Sequence, residues 1–171
     1  MQLTYIDETD RSYGLSGMAI SLAVLDNGEK IMEINLDGDD PINFSHEFFF
    51  TGNPRCSAKV VWNELTNNFN LSMAMALGNI LSRRIASEHV SFAEEEQKTL
   101  REIAINEGRD ICGLDTDEVE TLWEKDLHFL SRVFGHPQIQ RLTKEMAQEI
   151  RRKRTLSRQE INEILSVINR W

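Results

Sequence analysis

The segment from Leu71 to Ala86, LSMAMALGNILSRRIA, constrains the fold more than any other. At about 100 degrees per residue, Met73, Ala74, Leu77, Ile80, Leu81 and Ile85 share one broad stripe, so the segment reads as a helix with a buried face. Arg84 falls inside that stripe, between Met73 and Leu77, whereas Arg83 points away from it. A guanidinium buried without a partner is strongly destabilising, so this reading requires a carboxylate from a neighbouring helix.

Two later helical segments carry acids within their own apolar stripes. Glu96 and Glu107 fall among Phe92, Leu100, Ile103 and Ile111, and Asp126 falls among Val119, Leu122, Trp123, Leu127 and Leu130. Pairing of Arg84 with Glu96 or Glu107 is the expected solution, with the remaining acids at the stripe edges. Convergence of several acids on a core metal is the competing one. It lacks the Glu-x-x-His pairs that di-iron helical bundles use, so no metal ligand is assigned.

The first fifty or so residues have strand character. Leu3 to Ile6 reads as a short strand, and Met18 to Leu25 and Ile31 to Leu36 alternate around Asp26-Asn27-Gly28, a hairpin signal. A three-residue loop with Gly28 left-handed would align Leu22 with Met32, Ile20 with Ile34 and Met18 with Leu36, giving one apolar face. Phe44 to Phe50 supplies a third strand, and Asn53-Pro54 closes this part.

Beyond it the signals are helical. Val60 to Phe69 suggests one helix, broken near Asn67 to Asn70 before the central one. Ser91-Phe92-Ala93-Glu94, Asp115-Thr116-Asp117-Glu118 and Ser157-Arg158-Gln159-Glu160 each open a helix, and Gly135 with Pro137 marks a stop and restart. The expected fold is therefore α+β: an antiparallel meander of about three strands packed against five or six helices. No linker separates the halves, so 1–171 is expected to be one domain, with 1–54 its β portion and 55–171 its helical portion.

Composition narrows function by exclusion. Apolar residues make up 40% of the chain and charged residues 27%, as in ordinary folded proteins, and the net charge of -9 repels phosphate backbones and anionic membranes. No run approaches the roughly 20 apolar residues of a membrane span, and the opening MQLTYIDETD lacks a secretory pattern, so a cytoplasmic location is expected. Cys56 and Cys112 read as buried, reduced thiols.

Catalytic and cofactor motifs are missing. The sequence contains no HExxH, GxGxxG, GxxxxGK[ST] or GxSxG, and His46, His89, His128 and His136 occur singly. His46, beside Glu47 and near Asp40, is the least remote general-base candidate. Tyr5-Ile6-Asp7-Glu8 followed by two more strands resembles the opening of a ribonuclease H-like nuclease, in which a first-strand acid holds magnesium. That fold also needs further strands where this chain, after Pro54, reads as helix. Asp37-Gly38-Asp39-Asp40 is acidic but lacks the spacing of a calcium loop.

One basic run remains: Arg151-Arg152-Lys153-Arg154, with Arg158 close behind. Cations at a helix C-terminus complement its dipole, and they could also bind an acidic protein or nucleic acid. Ile139, Leu142, Met146 and Ile150, followed by the stripe Ile161, Ile164, Leu165 and Ile168, form a seam suited to another helix, with Trp171 as an anchor. The expected function is a non-catalytic protein-interaction or regulatory module, without a cofactor, that self-associates through its C-terminal helices or binds a protein partner. A nucleic-acid-binding regulator using residues 151–158 and a metal-dependent hydrolase are the alternatives.

Overall fold

The computed structural model describes residues 4–45, 58–86 and 94–168. Helix α1 (Glu8–Val24) leads through a 3-10 turn into strands β1 (Ile31–Asn35) and β2 (Ile42–Phe44). Helices α2 (Ala58–Ala86), α3 (Glu94–Cys112), α4 (Thr116–Gly135) and α5 (Pro137–Lys153) follow, then strand β3 (Thr155–Ser157) and helix α6 (Arg158–Leu165). The α+β class and a three-stranded antiparallel sheet are as the sequence predicts. The membership of that sheet differs.

Met18 to Leu25 is helical through Val24, so no hairpin forms across Asp26-Asn27-Gly28. Asp7 opens α1, its side chain accepting from the Asp10 amide at 2.7 Å, and the chain leaves the helix through Asp26, at φ 56. Leu15, Ala19, Ile20, Leu22 and Ala23 are buried within α1. A short apolar run such as this satisfies strand and helix patterns alike, and its packing partner decides between them. That partner is α2. A Cβ on Gly17 would overlap the Gly78 carbonyl and Ser82, and one on Gly78 would overlap Ser21 Oγ, so the two backbones approach as only glycine permits.

The hairpin that does form joins β1 to β2 across the polar turn Asp37 to Pro41, pairing Ile34 with Ile42. The third strand comes from the far end of the sequence. β3 lies antiparallel on the other edge of β1, with Leu156 opposite Ile34, giving the order β2-β1-β3. The expected strand from Phe44 to Phe50 is described only as far as Phe44, the end of β2; 46–50 lie outside the described residues, as do Asn53-Pro54. Residues 4–6 of the first expected strand are not in a strand.

The expected break near Asn67 to Asn70 is absent, because α2 runs unbroken for 29 residues. Buried Phe69 and Leu71 anchor this stretch in the core, and tertiary burial overrides the weak helix preference of asparagine. The later boundaries follow their local signals. Glu118 accepts from the Asp115 amide at 2.9 Å, Pro137 is the first residue of α5, and Glu160 accepts from the Ser157 amide at 2.9 Å. The Ser91 to Glu94 signal lies largely outside the described residues; α3 is helical from Glu94.

Candidate interaction surface

Arg83 on α2 makes an ion pair, whereas Arg84 makes none among the described residues. Its Nε and Nη2 donate to the two carboxylate oxygens of Asp10 at 2.5 and 2.6 Å, with the side chains 16% and 13% exposed. The Tyr5 ring lies 5.3 Å below the guanidinium, and its hydroxyl accepts from Asn79 at 2.9 Å. Burial pushes the Tyr5 phenol up. The place of Arg83 in this pair has a geometric cause. The stripe through Met73, Leu77 and Leu81 follows large apolar residues, whereas α1 meets α2 through Gly78, Asn79 and Ser82, a face rotated toward Arg83. Arg84 is exposed and has no ion pair to Glu107 among the described residues, and the Glu96 side chain lies outside them.

The basic run is tied down within the chain. Arg151 donates to Thr9 Oγ1 at 3.1 Å, Arg152 pairs with Glu149 at 2.6 Å, and Lys153 pairs with Glu160 at 2.6 Å. Arg154, at φ 65, closes α5, donates from Nε to Asp37 at 2.9 Å and pairs with Glu8 at 2.6 Å. These contacts pull the Glu160 carboxyl down to about 2 and lower those of Asp37 and Glu149. Arg154 and Arg11 border a cavity of about 510 Å3 with Asp7, Glu8 and Asp37. Arg158 is exposed, and Trp171 lies outside the described residues.

The apolar seam is likewise occupied internally. Ile139, Leu142, Met146 and Ile150 are at most 4% exposed, with α5 packed on α1. Ile161 and Leu165 are buried where α6 meets β1 and β3. A stripe closed in this way offers no free face to a partner helix.

A further cleft lies where α2, α4 and α5 meet. It measures about 360 Å3, with Leu81, Ile85 and Phe134 as its apolar walls and Ser131 and Gln140 as neutral polar ones. Gln140 donates to the Phe134 carbonyl at 3.2 Å, fixing the α4–α5 corner. Arg84 and Lys144 are the charged residues of the lining, and among the described residues neither has an ion pair.

No protein-family model matches this chain, and no curated protein matches it.

The stripe acids diverge. Glu107 is half-buried and lines a second cavity, of about 250 Å3, with Met18, Phe69, Met73 and Ala104. Asp126 is 3% exposed, and its Oδ2 has no hydrogen-bond partner. Burial pushes its carboxyl up to about 6, against a smaller opposing pull from Lys125. Asp126 thus lies in the buried stripe itself rather than at its edge, with no arginine partner among the described residues. Arg101 instead joins α3 to α4 through Glu120 at 2.9 Å.

His128 is exposed, and His136 accepts from the Gln138 amide at 3.3 Å to cap α5. His46, His89 and Cys56 lie outside the described residues. Cys112 is buried and unpaired by disulfide, and burial raises its thiol pKa. Among the described residues, no three His, Cys, Asp or Glu side chains form a group that could hold a metal, and no helix is long and apolar enough to cross a membrane.

Sequence reasoning missed Asp10, Tyr5 and Lys144. Asp7 and Asp10 carried a helix-start signal, an acid followed three residues later by another at the head of α1, which the strand reading passed over. Lys144 carried none, since its significance lies in a distant helix end.

Proposed function

We propose that this chain is a non-catalytic, cytoplasmic protein-interaction or regulatory module that meets its partner at the α2–α4–α5 cleft. The observation behind this reading is the cleft lining: apolar walls beside two cations, Arg84 and Lys144, that have no ion pair among the described residues. Apolar surface with unsatisfied charge at its edge is the usual make-up of a contact patch.

The alternatives draw less from the geometry. A nucleic-acid role relied on Arg151 to Arg154, whose side chains already engage Thr9, Glu149, Glu160, Asp37 and Glu8. Self-association relied on a seam that α5 and α6 bury against the rest of the chain. The metal-dependent hydrolase has no candidate ligand group among the described residues.

A photo-crosslinking amino acid at Ser131 tests the module reading in living cells, with Asn162 on α6 as the control position. Discrete protein adducts from Ser131, in excess of those from Asn162, are the expected result. Equal yields from the two positions, or none, would count against it.

A further inference from the structure

Resting on the module reading, but at a surface apart from the cleft, we infer that the α1–α2 crossing carries a recognition slot for a tyrosine and its two flanking peptide groups, held shut by Tyr5. Residues Thr4 to Asp7 precede α1 without regular structure and lie against the crossing as a strap. Three hydrogen bonds fasten consecutive parts of it. Arg83 Nη2 donates to the Thr4 carbonyl at 3.2 Å, Asn79 Nδ2 donates to the Tyr5 hydroxyl at 2.9 Å, and the Ile6 amide donates to Asp10 Oδ2 at 2.9 Å. Arg83 and Arg11, one from each helix, lie 5.3 and 5.9 Å from the centre of the Tyr5 ring.

The floor of the slot is shaped for that ring. A Cβ on Gly14 would come within 2.9 Å of the ring and 2.5 Å of Asn79 Nδ2, so bare backbone is what leaves the space. Asn79 is fully buried and its Oδ1 has no hydrogen-bond partner, so the floor keeps an acceptor that Tyr5 leaves unused.

The strap is what covers this floor, and little holds the strap. Thr4 is exposed and Ile6 is 79% exposed, which leaves Tyr5 as the inward side chain of residues 4–6. A segment fastened by one side chain and three hydrogen bonds opens at far less cost than the whole fold. Another protein's tyrosine fits the opened slot, because two of the three hydrogen bonds go to backbone groups that any residue carries. Phenylalanine is the poorer fit, since it leaves the buried Asn79 amide without its acceptor. Tyr5 thereby acts as an internal competitor that an incoming tyrosine displaces.

The test uses the full chain, its Tyr5→Phe and Tyr5→Ala variants, and two dye-labelled tripeptides, acetyl-Thr-Tyr-Ile-amide and acetyl-Thr-Phe-Ile-amide. Affinity for the tyrosine peptide should rise from the parent through Tyr5→Phe to Tyr5→Ala, with the helical circular dichroism retained. Tyr5→Ala should bind the tyrosine peptide about tenfold tighter than the phenylalanine one. In NMR spectra, the Asn79 side-chain amide protons should exchange faster in Tyr5→Ala than in the parent, and slow again when the tyrosine peptide is added. Equal affinity across the three chains, equal binding of the two peptides, no binding at all, or Asn79 exchange unmoved by the peptide would each overturn the inference. If Tyr5→Ala does not fold, the comparison of the parent with Tyr5→Phe decides.

The Ser131 adducts separate this slot from the reading it rests on. Adducts retained without peptide binding reject the slot and leave the module reading in place. Peptide binding without adducts keeps the slot and rejects the cleft as the meeting place.

Discussion

Asp10 and Arg83 are joined by two parallel hydrogen bonds across the α1–α2 crossing, although 73 positions separate them in the chain. The pair is mostly withdrawn from solvent, and Asp10 also accepts from the Ile6 amide at 2.9 Å, so the start of α1 and the end of α2 are held at one point. Removing one partner strands the other. Asp10→Asn or Arg83→Met alone is expected to lower unfolding free energy by about 3 kcal/mol in urea titrations, while the double variant loses less than the sum of the two. Additive losses would show that the pair contributes nothing as a pair.

The glycine contact beneath that pair tolerates no side chain. Gly78→Ala would push a methyl into Ser21 Oγ and toward the Gly17 carbonyl oxygen, at 2.6 Å, whereas a Cβ on Gly135 meets nothing within 4 Å. A loss of about 2 to 4 kcal/mol is expected for Gly78→Ala, against a change of at most about 1 kcal/mol for Gly135→Ala. Thermal melts of the two variants side by side provide the comparison.

Asp126 makes stability depend on pH. Its folded carboxyl titrates near 6, above the usual value of 3.8, so the folded state holds the proton more tightly than the unfolded one. Well below pH 3.8 both states are protonated and the group costs nothing. As pH rises through 4 to 6 the unfolded state ionises first, and above 6 the destabilisation is complete, about 3 kcal/mol. Asp126→Asn should therefore be more stable than the parent at pH 7.5, with the advantage shrinking as pH falls through 6 and gone well below 3.8. A gain that is the same at pH 7.5 and well below 3.8 would mean that ionisation is not its source.

Arg154 combines an ion pair with a left-handed backbone, φ 65, at the end of α5. Alanine there loses the contacts to Glu8 and Asp37 and keeps the backbone strain; glycine loses the same contacts and removes the strain. Arg154→Gly is expected to melt above Arg154→Ala. The reverse order would mean that the cap geometry is not retained.

Much of the helical half was legible because its signals are local. Asp115 with Glu118, Pro137 after Gly135, and Ser157 with Glu160 each act over three residues or fewer, and each opens the helix that its spacing indicates. The place of Asp126 within a 3.6-residue apolar stripe was equally readable, whereas its full burial, rather than a position at the stripe edge, was not. The candidate surface was not legible in the same way. Arg84 was singled out as an arginine in apolar company, but its cleft is completed by Phe134 and Lys144 from other helices.

By itself, the sequence determined the α+β class, most helix starts and the carboxylate inside the α4 stripe, because caps and periodicity act between near neighbours. Only the tertiary structure decided that Met18 to Val24 coils rather than pairs, that β3 joins β1, and that Arg83 meets Asp10. Each of these depends on which distant surface arrives, and for α1 it is the bare backbone at Gly17 and Gly78, whose close approach selects the helix and turns Arg83 toward Asp10.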